Sequence, residues 1–567
     1  MRLLCKMCFV LLASSLMLGQ ASTAAANSTS DDNMSTAEQI KALQQAVALQ
    51  QKQIEALQKE LASKDATTPA PAIVNAAYTA PAAPASTMKS DYQDKPKESP
   101  LSFRIGGTEF TPGGFVDFEN IFRTTNTGNV TATSFWAIPF SNTVQGKLSE
   151  FRITGQYSRY SLKVTGKYGD TGIIGYLEGD FNGNDAANVF VTSNPHTNRL
   201  RLYWVDLKRG KWEFLGGSSW GLMTPNRTGL SPMPADLALP IGEDAQVHVG
   251  SNYTRAGQFR AGYHFNDKFQ WAIGIENPQQ FTGQGAEVIF PSGFNAVLGA
   301  EFDSGANPGT PNAFPDFNTK AAYDSNPWGH KFHFEIGGTT TSTKIAVLPT
   351  VANSLFVKHK KLGGGLQAAV SYDVVKSGDR WVRLLGNGMW GNGIGRYLIG
   401  MGPQAVVVPI PAGGAAACSA GATGGCDAAV SLVHSGNLLI GTEIQPAAKT
   451  LWGLYYGGAY FQRNFFPDLT VAPNAGGFRP NIGFGFPAVV NAAGVTQFGG
   501  SNNISNRAIQ EFTFDWTQTF WKSPQYGAVQ LVTQTSYLTR APWFVPAGAP
   551  RNAHLVQAFV SMKYVLP

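Results

Sequence analysis

Two glycine-rich stretches have the spacing of motifs that carry chemistry in other proteins. Residues 217–221, GSSWG, fit the G-x-S-x-G turn that presents a nucleophilic serine, and residues 386–391, GNGMWG, fit the G-x-G-x-x-G loop of dinucleotide sites. Both motifs require a helix directly after the turn, and no helical pattern follows either stretch. A chain with 63 glycines also contains such spacings by chance. We therefore predict no catalytic residue and no enzymatic activity.

The sequence also predicts no metal site and no cofactor. It lacks the H-E-x-x-H, P-loop and EF-hand patterns, and its eight histidines are scattered. The closest pair, His330 and His333, has an odd offset, which on a strand places the two side chains on opposite faces. Any chemistry is therefore expected to come from charges that attract or repel a solute.

Basic residues on predicted strands are candidates for a channel wall that attracts anions. They are Arg152, Lys163, Arg199, Arg201, Arg260 and Arg383. The planar guanidinium of arginine suits a carboxylate, because it donates two parallel hydrogen bonds. The predicted loop 222–245 supplies acidic candidates for a constriction, Asp236, Glu243 and Asp244. Folded inward, this loop would narrow a pore and set its selectivity; a solvated outer loop is an equally good interpretation.

The elements that carry these residues have the alternation of β-strands. In residues 150–169, EFRITGQYSRYSLKVTGKYG, apolar and polar side chains alternate twice, which predicts two strands with one apolar and one polar face. Seventeen such segments follow residue 102, among them 148–158, 159–169, 246–256 and 257–266. Many run 10–12 residues, the length of a tilted membrane strand. Barrels of this kind have an even number of strands, so we predict sixteen.

The connections and the composition favour a membrane barrel over a soluble β-protein. Tight turns such as residues 266–267 alternate with long loops at 278–329, 391–435 and 463–506, which is the asymmetry of outer-membrane barrels. Charged residues make up only 14% of the chain and aromatic residues 12%, yet the mean hydropathy is −0.11, which excludes a helical membrane protein. The formal net charge of +6 is too small to suggest a nucleic-acid partner.

The first hundred residues have a different organisation. Residues 1–26 have the positive start, short apolar stretch and small residues of a signal peptide. Residues 35–64 carry an a/d heptad through Ile40, Val47, Ile54 and Leu61, which predicts a self-associating coiled-coil helix and favours a dimer. Residues 65–100 are an Ala/Pro-rich linker, and residues 101–567 form the predicted barrel.

Two cysteines remain after removal of the signal peptide, Cys418 and Cys426. In an exported protein two cysteines so close in sequence usually pair, and a metal site would need more ligands than this stretch supplies. We predict a disulfide bond that closes a loop.

The chain resembles the DcaP-type trimeric porins of Gram-negative outer membranes. The stretches that carry the resemblance are residues 35–64, FTPGGFVDFENIF at 110–122, LSEFRITGQYSRYSLKVTG at 148–166 and NRLRLYWVDLKRGKWEFLGGSSWG at 198–221. The resemblance implies a sixteen-stranded barrel in the outer membrane that forms homotrimers, with the N-terminal segment in the periplasm. It also implies passive diffusion of small, often anionic solutes such as dicarboxylates. The trimer disagrees with the dimer favoured by the heptads, and we expect the barrel contacts to dominate.

Other functions remain compatible with the pattern. The main alternative is a plugged barrel that acts as a structural or adhesive surface protein. A barrel enzyme would need a serine, a histidine and an acid on one wall. A secreted soluble β-sandwich would not need detergent for its extraction.

Overall fold

A computed structural model describes residues 99–183, 197–284, 287–303, 312–350, 354–411 and 425–567. The predicted signal peptide, the coiled-coil segment and nearly all of the linker lie outside the described residues, and so does Cys418. Cys426 is disulfide-bonded; its pairing with Cys418 stays a prediction.

Sixteen long strands form the framework, and they are numbered here in chain order. The first eight are β1 (Thr108–Arg123), β2 (Glu150–Thr154 and Arg159–Tyr168), β3 (Thr171–Asp180), β4 (Arg199–Arg209), β5 (Trp212–Trp220), β6 (Arg255–His264), β7 (Phe269–Glu276) and β8 (Asp316–Ser325). The second eight are β9 (Phe332–Val347), β10 (Val357–Ser377), β11 (Arg380–Asn392), β12 (His434–Ala447), β13 (Thr450–Phe461), β14 (Asn506–Ser523), β15 (Gly527–Pro542) and β16 (Ala553–Val565).

Each strand pairs antiparallel with the next, and the last strand pairs with the first. The closing ladder of β16 with β1 runs from Phe115 opposite Val565 to Arg123 opposite Gln557. Closure leaves no free sheet edge, so every ladder hydrogen bond is satisfied within the protein. The predicted fold class, a sixteen-stranded antiparallel barrel, is confirmed.

Three local predictions about the strands were wrong, although the total was right. Residues 150–168 form one interrupted strand, because both segments of β2 pair with β1 and residues 155–158 bulge between them. Gly114 makes the bulge possible: its φ is +135°, and a Cβ there would lie 2.2 Å from the carbonyl oxygen of Arg159. Residues 246–254 are a loop, in which Val247 and Gly250 have positive φ. Residues 316–325, expected within the loop 278–329, form strand β8 with Phe317 and Tyr323 on its exposed face.

The outer face of the barrel is an apolar belt. Large exposed apolar side chains on successive strands include Phe151, Ile153, Tyr168, Phe269, Trp271, Ile273, Phe334, Ile336, Phe512, Phe514 and Phe520, as the alternation predicts. Such a belt requires an apolar surrounding, and a lipid bilayer supplies one. Tyr157 was expected in this belt, but it lies in the bulge of β2 and packs inside against Phe115, with the ring centroids 6.0 Å apart.

The two ends of the barrel differ. At one end the strands are joined by short turns such as Arg209–Trp212 and Ala447–Thr450, and the chain terminus lies there too, where Ser99 Oγ donates a 2.9 Å hydrogen bond to the carbonyl oxygen of Pro567. At the other end the long connections carry the remaining elements. In the part of the chain that the structure describes, no helix has the length and apolar character needed to cross a membrane.

The long connections pack into a layer with its own core. They contain paired short strands, one α-helix and several 3₁₀ turns. The pairs are Ala405–Pro411 with Cys426–Leu432, Asn464–Pro467 with Asn481–Phe484, and Val489–Val490 with Thr496–Phe498. The helix α1 is Asn295–Glu301, and the 3₁₀ turns are Phe135–Ala137, Gln145–Lys147, Pro234–Asp236 and Gly395–Tyr397. At the short-turn end lie the strand Phe103–Ile105 and the turn Pro327–Gly329.

Candidate functional site

Residues 221–254, called the inner loop below, join β5 to β6 and lie inside the barrel. The guanidinium of Arg227 donates to both carboxylate oxygens of Glu443 on β12, at 2.6 and 2.7 Å. On the far side of the loop, Lys563 Nζ on β16 donates to Glu243 Oε1 at 2.7 Å. Burial opposes the charge of Arg227, but the Glu443 carboxylate holds the pKa of Arg227 above its ordinary value.

Polar side chains of the wall satisfy the backbone of the inner loop. Gln534 Oε1 accepts from the amides of Glu243 and Asp244, at 2.6 and 2.9 Å, and Asn437 Nδ2 donates to the carbonyl oxygens of Gly250 and Ser251, both at 2.9 Å. A loop without secondary structure is stable inside a barrel only if its backbone groups find such partners. These bonds therefore hold the loop in one conformation across the interior.

Apolar side chains of the inner loop also pack against the inner wall of the barrel. Leu237 is buried in a cluster with Trp204 on β4 and Trp220 on β5, and Ile241 packs against Tyr455 on β13. The loop thus contacts the barrel on opposite sides, and it occupies a large part of the cross-section.

Four arginines gather on β2, β4 and β6, beside the inner loop. Arg255 interacts electrostatically with Arg201, Arg199 and Arg159, and its guanidinium lies over the ring of Trp220 at 5.5 Å. We call Arg159, Arg199, Arg201 and Arg255 the arginine cluster. Two acids lie within it.

The acids neutralise only part of the arginine cluster. Arg201 donates to Glu178 Oε1 at 2.8 Å and to Asp180 Oδ2 at 2.7 Å, and Arg199 donates to both oxygens of Asp180, at 3.0 and 2.7 Å. Four guanidinium charges against two carboxylates leave a surplus of two positive charges, since 4 − 2 = 2. Arg199 remains 37% exposed at its side chain, so the cluster reaches water.

The other basic candidates are not brought together. Arg152 is exposed, and it pairs across the ladder with buried Ile121. Lys163 is half-buried opposite Tyr176. Arg260 is 7% exposed and donates to the carbonyl oxygens of Leu230 and Trp220, so it braces the start of the inner loop.

Arg383 lies elsewhere on the wall, on β11. It donates to both carboxylate oxygens of Asp373 on β10, at 2.6 and 3.3 Å. This pair is near the short turn Ser377–Arg380, away from the arginine cluster on β2, β4 and β6. We therefore do not include Arg383 in the site.

The three acidic candidates on the inner loop have different surroundings. Glu243 and Asp244 are buried, at 1% and 2% exposure, whereas Asp236 is half-buried at the end of its 3₁₀ turn. Burial raises the pKa of Glu243, although the charge of Lys563 opposes this. Asp244 accepts from the amides of Thr133 and Gln246, at 3.0 and 2.9 Å. Glu243 and Asp244 therefore help to hold the loop.

Sequence reasoning missed several residues of this region. Arg159 and Arg255 were not chosen, because Arg159 stood in a predicted turn and Arg255 in the wrongly predicted strand 246–256. Tyr157 was assigned to lipid, yet the guanidinium of Arg159 and the ammonium of Lys563 lie over its ring at 5.2 and 5.0 Å. A prediction of the break in β2 would have placed these residues correctly. The residues G-Q-Y-S at 155–158 indicate that break only weakly.

No family model matches the chain, and no curated protein matches it. Solved structures do. They include an outer membrane channel from Acinetobacter baumannii, a porin from Comamonas acidovorans and OprB from Pseudomonas putida.

The fold is shared in particular with the outer membrane channel DcaP of Acinetobacter baumannii. The TM-score is 0.52 at 13% identity, over 82% of this chain and 99% of the DcaP chain. The anion-selective porin of Comamonas acidovorans has a TM-score of 0.40 at 10% identity, over 81% of this chain and 99% of its own. OprB of Pseudomonas putida has 0.41 at 10% identity, over 80% and 94%. The argument for the fold rests on DcaP, and the resemblance drawn from the sequence is confirmed at that level.

Proposed function

We propose that the protein is an outer-membrane porin through which small solutes diffuse passively, with a preference for anions such as dicarboxylates. The arginine cluster is the observation that carries this proposal. Its surplus of two positive charges lies where the inner loop narrows the interior, and charges in a narrow channel with low-dielectric walls act more strongly than they do in bulk water.

The binding energy available at the arginine cluster suits transport. A carboxylate that meets one or two guanidinium groups gains about 1.5–3 kcal/mol from charge-assisted hydrogen bonds. This range corresponds to weak binding, so a solute that enters can also leave. A solute with two carboxylates could engage two arginines of the cluster at once, which favours dicarboxylates over monovalent anions.

The two buried acids of the inner loop, Glu243 and Asp244, do not cancel this preference in our proposal. Glu243 is paired with Lys563, and Asp244 accepts from the amides of Thr133 and Gln246, so both charges are already engaged. Arg199 and Arg201 are the two sequence-predicted residues that we retain as solute contacts, and we add Arg159 and Arg255. Arg152 and Lys163 are proposed to attract anions toward the constriction. Arg260 and Arg383 are not proposed as solute contacts.

The proposal includes the assembly and its setting. We propose a homotrimer in the outer membrane of a Gram-negative bacterium, with residues 35–64 as a periplasmic coiled coil. The support is the shared fold, the heptads of that segment, and the position of Ser99 at the short-turn end of the barrel, which is the periplasmic end in outer-membrane barrels.

Reversal potentials across planar bilayers test the proposal. In a gradient of potassium chloride around 0.1 M the protein should pass anions in preference to cations. The preference should shrink near 1 M, because the screening length falls from about 10 Å to about 3 Å. A cation preference at low salt would overturn the anion selectivity. A well-inserted protein without conductance would instead support the plugged structural or adhesive barrel.

A further inference from the structure

Three carboxylates meet where the inner loop contacts β1. Asp117 and Glu119 lie two residues apart on β1 and therefore point to the same, inner face. Glu243 of the inner loop completes the group. One oxygen from each side chain lies within 4.8 Å of the others. The three residues are buried, at 4%, 0% and 1% exposure.

Glu119 has no partner for its charge within this group. Both of its carboxylate oxygens are buried, and among the described residues neither has a hydrogen-bond donor. Asp117 Oδ2 is in the same situation, while Asp117 Oδ1 accepts from Ser561 Oγ. A buried carboxylate without a donor costs several kcal/mol, and proteins rarely keep one without compensation. At least one oxygen of Glu119 lies within 4.8 Å of an oxygen of each of the other two carboxylates.

The surrounding charges increase the imbalance. The negative charges of Glu243, Asp117 and Asp244 repel a negative charge on Glu119. The positive charge of Lys563 attracts it. Lys563 Nζ is already 2.5 Å from Glu243 Oε2 and 2.7 Å from Glu243 Oε1. The guanidinium of Arg159 also acts on Asp117 and Glu243, but it is shared with Glu178, whose Oε1 lies 3.7 Å from Arg159 Nε. Two cations with other partners therefore face the three carboxylates and Asp244, and a further cation would balance them.

We propose that Asp117, Glu119 and Glu243 bind a divalent cation, Ca²⁺, which clips the inner loop to the barrel wall. Ca²⁺ binds oxygen at 2.3–2.6 Å and accepts mixed monodentate and bidentate carboxylates, so one ion can bridge oxygens that lie within 4.8 Å of one another. Glu119 can supply both oxygens, Asp117 supplies Oδ2, and Glu243 supplies one oxygen. Water completes the shell. Mg²⁺ fits less well, since it keeps most of its water, and the group has no nitrogen or sulfur ligand for Zn²⁺.

Such an ion would join two parts of the chain that are far apart in sequence. It would hold the inner loop at β1 as the Arg227–Glu443 pair holds it at β12. The inference goes beyond diffusion through the pore, because the ion would fix the position of the constriction whether or not the channel selects anions.

Calorimetric titration of the full-length protein in detergent tests the site. The protein is stripped with EDTA, dialysed, and titrated with Ca²⁺ alone. We expect one Ca²⁺ per protomer in the wild type and at least a tenfold weaker affinity in Glu119→Gln. The matched control is Glu287→Gln, which changes a buried carboxylate of the long connections whose oxygens are also without donors. It should bind Ca²⁺ as the wild type does.

Thermal unfolding separates binding from a folding defect. In EDTA, Glu119→Gln should unfold at the same temperature as the wild type or at a higher one, because an unpaired buried charge is removed. Addition of Ca²⁺ should raise the unfolding temperature of the wild type and of Glu287→Gln, and leave that of Glu119→Gln unchanged. Wild-type protein that binds no Ca²⁺ at millimolar concentration would overturn the site, and so would Ca²⁺ binding by Glu119→Gln at wild-type affinity. Glu243→Gln provides a second variant, with the same expected loss of affinity.

Discussion

The ammonium of Lys563 lies 2.7 Å from Glu243 Oε1, and this contact joins the last strand of the barrel to the inner loop. The two residues are 320 positions apart in the sequence. Lys563 also lies over the rings of Phe115 and Tyr157, at 4.8 and 5.0 Å, so its charge is held between aromatic faces and a carboxylate. The final strand thus contributes to the position of the inner loop as well as to the closure of the barrel.

Removal of this ammonium should destabilise the barrel. Lys563→Met leaves Glu243 buried without its partner, and the loss of one partner of a buried pair typically costs about 3–5 kcal/mol. We expect a decrease of about 3 kcal/mol in the free energy of unfolding, measured by denaturant titration in lipid vesicles. Lys358→Met is the control, since Lys358 is exposed and should change stability little. Equal stability of the two variants would show that the pair does not hold the loop.

Arg255 provides a test of selectivity at one residue. Its charge is balanced by no carboxylate in the ion pairs of the described chain, and it adds to the field of three neighbouring arginines. Arg255→Ala should therefore lower the ratio of anion to cation permeability by about twofold or more without abolishing conductance, if the charge is worth at least about 0.4 kcal/mol at the constriction. Reversal potentials at low salt measure the ratio.

The control for Arg255→Ala is Arg209→Ala, which removes an exposed arginine at the end of β4. This variant should keep the permeability ratio of the wild type. If both variants lowered the ratio to the same extent, the net charge of the protein would explain the selectivity and the arginine cluster would have no special role.

His248 of the inner loop should make stability depend on pH. Burial lowers the pKa of His248 from 6.5 to about 4, and a hydrogen bond from Nδ1 to the carbonyl oxygen of Val249 does not offset this. Asp244 favours the charge of the ring less than burial opposes it, and Glu511 Oε2 lies 3.6 Å from Nδ1. The unfolded chain takes up a proton below about pH 6.5 that the folded protein does not accept until about pH 4, so the folded state loses stability over this range.

The expected loss between pH 6.5 and pH 4 is at most about 3 kcal/mol for this residue. Unfolding titrations of the wild type and of His248→Gln across this range measure it, and the variant should lose less stability. His554→Gln, which changes an exposed histidine on β16, should follow the wild type. Parallel pH profiles for the wild type and His248→Gln would mean that other groups dominate the acid response.

The sequence predicts the barrel better than it predicts the site. Alternation of apolar and polar residues is a local property, and it places Phe151 or Trp271 on the outer face correctly. The contacts of the inner loop are not local: Arg227 meets Glu443, and Lys563 meets Glu243, across more than two hundred residues. No spacing in the sequence encodes these pairs. Charge and the alternation of strand faces therefore predict which residues point inward, but not which partners they meet.

The errors at Tyr157 and Arg255 both come from backbone geometry that the alternation does not reveal, a bulge at Tyr157 and a loop directly before Arg255. A strand is assigned from alternation, but a bulge shifts the alternation by one face without a strong sequence signal. Gly114 on the neighbouring strand allows the bulge of β2, so the cause lies outside the segment that it affects. Val247 and Val249 suggest a strand, yet Gly250, with φ of +91°, lets the chain approach the carbonyl oxygen of Leu438, where a Cβ would lie at 2.3 Å.

Deletion of residues 27–100 tests whether the barrel folds without the N-terminal segment. We expect the truncated protein to fold into detergent, because the described strands close on themselves and the sixteen-stranded sheet needs no partner from that segment. The proposed trimer should become less resistant to heat, since the proposed coiled coil would hold its three chains at high effective concentration. Heat-dependent migration on gels and light scattering measure folding and oligomeric state.

The control is a variant with Ile40, Val47 and Ile54 changed to Ser, which disrupts the heptads at constant length. Loss of heat resistance in both variants, with barrels intact, would support a periplasmic coiled coil; a truncated protein that cannot refold would show that the division between linker and barrel is wrong.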